Sequence, residues 1–194
     1  MNTSNGQIAK YSSVKGSLQS IANKQAITVA QAFIDCEILA CLDVSPSMTY
    51  PDCPNSETRF KVATNQVAKL QSENPGKVGL ICWSDGQRFL PSGIAEMFGG
   101  STDVAGLLKY IKKADGCGIR LVIISDGEPD NDDEAIRQAK TFKTHIDTVY
   151  IGPENGHGAD FLRRLSAATG GKFSNSGTAG IGQLSQTVQS LLTA

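Results

Sequence analysis

Two short runs in this chain, Glu37–Leu42 (EILACL) and Leu121–Ser125 (LVIIS), are apolar at nearly every position instead of every second one. A strand with one wet face alternates apolar and polar side chains. A strand that does not alternate is buried on both faces, as in a parallel sheet covered by helices. Val78–Trp83 (VGLICW) and Thr148–Ile151 (TVYI) read as two more strands, with Arg88–Leu90 and Lys172–Ser174 as weaker ones. Amphipathic stretches lie between them. Thr58–Glu73 sets Phe60, Ala63, Val67 and Leu70 on one face and is stopped by Pro75-Gly76. Thr102–Ala114, Asp132–Lys143, Ala159–Thr169 and Ile181–Leu192 repeat the helical pattern, the fourth of the five closed by Gly170-Gly171. Strand–helix alternation repeated this often predicts an α/β fold: a doubly wound, mostly parallel sheet flanked by helices on both faces.

With 194 residues, the chain has room for one such domain and a short extension. The extension is expected over residues 1–35 and the domain over 36–194. Within the extension Val14, Leu18, Ile21, Val29 and Phe33 have loosely helical spacing, which fits a leading helix or a strand plus a helix. A formal net charge of −1 gives no electrostatic reason to coat nucleic acid or an anionic membrane. No apolar stretch approaches the roughly 18 residues that a membrane span needs. The polar start, Met1 to Ser13, lacks the pattern of a secretory leader. Five cysteines are an odd number and too few for a disulfide scaffold; Cys36, Cys41 and Cys82 fall in or beside apolar runs, as buried thiols do. The expectation is a cytoplasmic protein with free thiols.

Doubly wound sheets bind ligands beyond the carboxyl ends of their strands. The first buried strand ends in Asp43-Val44-Ser45-Pro46-Ser47, an aspartate and two hydroxyls at every second residue. The third ends in Ser125-Asp126-Gly127, and Gly99-Gly100-Ser101-Thr102 brings a further hydroxyl to a helix start, where Thr102 also suits the N-cap. Turn and capping chemistry alone would also place Asp43, Ser45 and Asp126-Gly127. As a set, Asp43, Ser45, Ser47, Thr102 and Asp126 offer only oxygen. Oxygen sets suit hard dications, Mg²⁺ first and then Mn²⁺ or Ca²⁺.

In these residues the chain resembles the von Willebrand factor type A domain with its metal-ion-dependent adhesion site. D-x-S-x-S matches Asp43, Ser45 and Ser47; the threonine of a Gly-rich loop matches Thr102; the second aspartate matches Asp126. The resemblance runs from about Cys36 to Ala194. It implies a Rossmann-like fold, a divalent cation held directly or through water, and an acidic side chain of a protein partner completing the coordination. Pro46 stands where many relatives have glycine, and Ser125 where they have threonine; neither removes a ligand.

Other signals are weaker. The acidic run Asp126–Glu134 fails the calcium-loop pattern, because Asn131 stands in the glycine position, and reads as a solvated loop capping the next helix. His145 and His157 stand apart from other metal-type ligands in the sequence, and hydrolase-elbow and P-loop motifs are absent. Cys53, in the Thr49–Glu57 loop, is the cysteine expected to be exposed; the loop itself should flank the metal and set specificity. The leading expectation is a metal-dependent protein-binding module and not an enzyme. The alternatives are a subunit of an assembly or metal-insertion complex driven by an AAA+ ATPase partner, and a metal-dependent hydrolase, which would need a general base.

Overall fold

A computed structural model describes residues 12–153, 156–178 and 180–193. Residues 1–11 of the extension, with the leader reading attached to them, lie outside the described residues. So do Asn155, near His157, and the side chains of Ile181 and Leu191 of the helix expected over Ile181–Leu192, whose first three residues form a 3-10 turn.

Six strands form one sheet: β1 (Ile38–Asp43), β2 (Val78–Trp83), β3 (Gln87–Phe89), β4 (Arg120–Ser125), β5 (Ile146–Tyr150) and β6 (Phe173–Asn175). Their order is β3-β2-β1-β4-β5-β6. Every pairing is parallel except β2 with β3. Among the described residues the α-helices are α1 (Leu18–Gln25), α2 (Val29–Phe33), α3 (Arg59–Glu73), α4 (Val104–Ile111), α5 (Asp132–Ala139), α6 (Gly158–Thr169) and α7 (Leu184–Thr193). The doubly wound, mostly parallel sheet expected from the sequence is therefore the observed one.

The non-alternating runs have the expected cause. All six residues of β1 are buried, and successive side chains enter opposite layers. Ile38, Ala40 and Leu42 join α3 and α7 through Val67, Leu70, Leu184 and Val188. Leu39 and Cys41 join Trp83, Leu107, Leu108, Ala135, Phe161 and Leu162, which come from β2, α4, α5 and α6. Each fully buried Leu or Ile contributes about 1.5–3 kcal/mol relative to exposure. The fully buried Trp83 satisfies its indole N–H on the Cys41 carbonyl (3.2 Å).

Local signals set the helix ends. The Thr58 hydroxyl accepts from Lys61 N (3.1 Å) at the start of α3. Gly170 ends α6 at φ 75°. The 12–35 segment is two short helices separated by a left-handed Ala26 (φ 55°). It packs on the sheet domain: Leu18 is fully buried, Val14 N and Gln19 N donate to Ser92 O and Pro91 O (2.8 Å each), and Phe33 meets Phe89 edge-on.

Three expectations need correction. Thr102 does not cap α4; Asp103 does, accepting from Gly106 N (2.8 Å), because the residue next to the helix has the reach. The helix expected over Asp132–Lys143 stops at Ala139, where the carboxylate of Asp115 takes Lys143 N (2.9 Å) and Thr144 N (2.8 Å) and draws the chain out of helical register. Cys53 is buried, tucked into the core layer of α3 by its bridge to Glu57; the exposed cysteine is Cys117, in the Gly116-Cys117-Gly118 turn.

Candidate metal centre

The chain runs from β1 to β2 on one side and returns to β4 on the other, so strand order reverses between β1 and β4. The crevice beyond their carboxyl ends is the expected ligand position in such a sheet. Asp43 is the last residue of β1. Register sets Leu42 beside Ile124, so Asp43 falls beside Ser125. The Ser125 hydroxyl accordingly donates to Asp43 Oδ2 (2.5 Å), and it accepts from Gly127 N (2.8 Å). The other oxygen, Oδ1, accepts from Ser45 N (2.8 Å).

After β1 the chain turns into a short 3-10 helix, Pro46–Thr49. Pro46 fixes the first φ of that turn and lacks an N–H that would need a partner there. The turn brings Ser45 Oγ to 3.1 Å from Ser47 Oγ, and Ser47 Oγ donates to Asp126 Oδ1 (3.0 Å). Asp126 is held from behind by two glycines. A Cβ on Gly127 (φ 81°) would meet Gly158 O at 2.6 Å, and one on Gly158 would meet Asp126 O at 2.1 Å. Only glycine at both positions lets the loop after β4 lie this close to the start of α6.

Four of the five expected site residues, Asp43, Ser45, Ser47 and Asp126, thus lie in one hydrogen-bonded group. Thr102 reaches the same end of the sheet by a different route. Its loop is fastened to the end of β2, where the Ser84 hydroxyl meets Gly99 O and Asp103 N donates to Ser84 O (3.1 Å). Its backbone exchanges hydrogen bonds with Asp130: Thr102 N to Asp130 Oδ1 and Asp130 N to Thr102 O, both 3.1 Å. Among the described residues its hydroxyl makes no hydrogen bond to the other four.

Charge decides whether a cation fits here. Asp43 is fully buried, and the groups that hydrogen-bond it, Ser45 and the Ser125 hydroxyl, are neutral. Among the described residues it has no ion pair. Burial, and then the charge of Asp126, push its carboxyl up to about 6, against the pull of the Ser125 and Ser45 hydrogen bonds. A buried anion without a counter-charge is costly. The side-chain atoms that Asp43, Ser45, Ser47 and Asp126 offer a ligand are all oxygens, the type a hard dication takes. No group of three or more His, Cys, Asp or Glu suited to a metal occurs among the described residues, so water would have to supply much of a coordination shell here.

Beside this group lies a cavity of about 210 Å³ lined by Ser47, Tyr50, Arg59, Asp126, Glu128 and Tyr150, among others. The Thr49–Glu57 loop forms one wall through Tyr50, which is exposed.

The architecture is similar to that of the manganese-loaded TRAP protein of Plasmodium vivax, at 16% identity and a TM-score of 0.58, over 82% of this chain and 74% of that one. It is similar also to proximal thread matrix protein 1 of the mussel byssus, at 13% identity and a TM-score of 0.55, over 89% of this chain. The match spans half the length of the mussel protein. These neighbours support a von Willebrand type A fold. At such identities they bear on the fold alone. No family model matches the sequence, and neither does any curated protein.

Within this fold the sequence reading missed one charged side chain. Arg59, 5% exposed, donates from Nη1 to Asp126 Oδ2 (2.6 Å) and from Nε to Asp52 Oδ1 (2.9 Å), and its Nη2 also contacts Asp52. Burial opposes the guanidinium charge, but the two carboxylates outweigh it and hold its proton more tightly than usual. Arg59 in turn draws the Asp52 carboxyl below its ordinary value. One signal could have found it. Arg59 is the first residue of α3, where the helix dipole disfavours a cation, and α3 has no acidic residue in its first turn. A basic residue there is compatible with an anion brought up by the tertiary structure, as Asp126 is for Arg59. Ser125, read only as a substitute for threonine, is the other omission.

Proposed function

We propose that this chain is a metal-dependent protein-binding module. Asp43, Ser45, Ser47 and Asp126, with Thr102 on the adjoining loop, would hold a divalent cation: Mg²⁺ first, with Mn²⁺ or Ca²⁺ as substitutes. The observation that carries the reading is the buried Asp43, an anion without a cationic partner among the described residues, linked through Ser45 and Ser47 to Asp126 at the strand-order reversal. A bound cation would supply an electrophilic position for an acidic side chain of a protein partner. The neighbouring fold solved with manganese agrees with a divalent ion here. Tyr50 and Glu128, on the loops around the cavity, would select the partner.

The reading involves no catalytic step. His145 precedes β5 and so lies at the opposite end of the sheet from Asp43. His157 lines an adjoining pocket with Asp132 and Arg164, which shares Glu128 with the cavity, and it makes no hydrogen bond to the proposed ligands among the described residues. Use of ATP would fall to a separate AAA+ partner, and a cytoplasmic setting fits the free thiols.

The test has two parts. Mn²⁺ titration followed by electron paramagnetic resonance should show one site, absent in Asp43→Ala with its circular dichroism unchanged. A pull-down should then recover a protein with Mg²⁺ that is lost with EDTA and in Asp43→Ala. Capture that persists in excess EDTA defeats the proposal.

A further inference from the structure

The two carboxylates of the proposed cation site are not equivalent: Asp126 has a protein cation at 2.6 Å and Asp43 has none among the described residues. We infer that Arg59 is a resident counter-cation that limits how strongly this site holds a dication, and that Asp52 on the neighbouring loop regulates it by sharing the same guanidinium. The inference rests on the cation reading above and adds a residue that sets its affinity.

Arg59 is fixed at both ends. Nη1 holds Asp126 Oδ2, while Nε and Nη2 hold Asp52. The Arg59 side chain is 6% exposed and that of Asp52 36%. The ring of Tyr50 lies 5.3 Å from the guanidinium carbon, on the same loop as Asp52. Asp126 Oδ1 is meanwhile taken by the Ser47 hydroxyl, which also faces Ser45. A cation in the Ser45–Ser47–Asp126 group would therefore share Asp126 with a fixed positive charge. In a buried setting like charges repel strongly, because little solvent screens them. Arg59 keeps the site from being fully anionic, so the dication is held less tightly than two free carboxylates would hold it. Asp52 acts with the opposite sign, because its own charge offsets part of the guanidinium's. A partner that engages the Tyr50–Asp52 loop and draws Asp52 away would leave the guanidinium to Asp126 alone. Loop contacts and cation affinity are thereby linked through one side chain.

The experiment is Mn²⁺ titration, by electron paramagnetic resonance of the free ion, on the wild type, Arg59→Gln, Arg59→Lys, Asp52→Asn and Asp43→Ala at one ionic strength. Arg59→Gln should bind Mn²⁺ about tenfold more tightly by loss of the repulsion. Arg59→Lys keeps the charge and should stay within about twofold of wild type. Asp52→Asn should bind roughly threefold more weakly by the same Coulomb logic. Loss of packing alone does not produce shifts of opposite sign with rescue by lysine. Unchanged or weaker binding in a folded Arg59→Gln overturns the inference, as does an Asp52→Asn shift in the tightening direction or no shift at all. If Arg59→Gln does not fold, Asp52→Asn at its partly exposed position decides alone. Absence of Mn²⁺ binding in the wild type overturns both this inference and the cation reading. Binding that is lost in Asp43→Ala but unmoved in Arg59→Gln and Asp52→Asn overturns this inference and leaves that reading standing.

Discussion

Asp43 and Asp126 terminate neighbouring parallel strands, yet the protein accommodates their charges differently. Asp43, at the end of β1, is fully buried and its donors are the neutral Ser45 N and Ser125 hydroxyl. Asp126, one residue past β4, is 7% exposed and carries an ion pair to Arg59. Neutral donors can orient a carboxylate without compensating its charge, so the Asp43 carboxyl is pushed up to about 6 by burial and by Asp126. An arginine compensates the charge, and the site then depends on that one residue. The more exposed and the more buried of two like carboxylates are thus stabilised by a counter-charge and by hydrogen bonds, respectively. The second has its charge uncompensated by any cation among the described residues, while the first already shares its charge with Arg59.

The largest expected break in this contrast comes from removing the counter-charge. Arg59→Ala leaves Asp126 buried and unpaired, and urea unfolding in EDTA should show a loss of about 3–5 kcal/mol. Adding Asp126→Asn should recover most of it. If the single variant loses less than about 1 kcal/mol, the pair behaves as a surface salt bridge and the contrast fails.

Asp43 should behave in the opposite way. Its folded value, about 6, lies above its ordinary 3.8. Folded protein thus holds that proton more tightly than unfolded chain. The stability this contributes is full below about pH 3.8 and is lost as pH rises through about 6. In EDTA, Asp43→Asn should therefore be more stable than wild type at pH 7.5 by about 2–3 kcal/mol, and the difference should shrink toward pH 4. Unfolding curves for both proteins at several pH values check this; a difference that does not vary with pH removes the uncompensated charge from the account. With a dication present the order at neutral pH should narrow or reverse, since the ion stabilises only the chain that binds it.

A smaller effect sharpens the comparison. Ser125→Ala removes the hydroxyl that donates to Asp43 Oδ2 and should cost about 1–2 kcal/mol by urea unfolding at pH 7. Ser125→Thr keeps the hydroxyl and should recover most of that loss. The smallest effect belongs to a solvent-exposed pair: Glu57→Gln breaks its ion pair to Lys61, 62% exposed, and should change stability by about 0.5 kcal/mol or less. A larger change there would mean that the Thr49–Glu57 loop carries more of the fold than its exposure suggests.

Much of this architecture was legible in the residues because burial on two faces writes a distinctive pattern. Val78–Trp83 forms a strand over the expected span, and helix α3 begins one residue after the expected start, since the Thr58 cap and the apolar face of Ala63, Val67 and Leu70 are local signals. The site was legible in part for the same reason. Strand ends put Asp43 and Asp126 at the carboxyl end of the sheet, and a two-residue spacing kept Ser45 and Ser47 beside them. Distant partners left weaker traces. Asp115 shortens α5 from 28 residues away, Glu57 helps bury Cys53, and Asp103 displaces Thr102 as the cap of α4.

By itself the sequence determined the layers, the strand ends and the oxygen character of the residues gathered there, because periodicity and turn chemistry act over a few neighbours. Tertiary structure alone decided which of the two carboxylates would be matched by a cation. Arg59 reaches Asp126 across 67 positions of chain, and a Coulomb interaction depends on distance through space, with no regular spacing along the sequence to announce it.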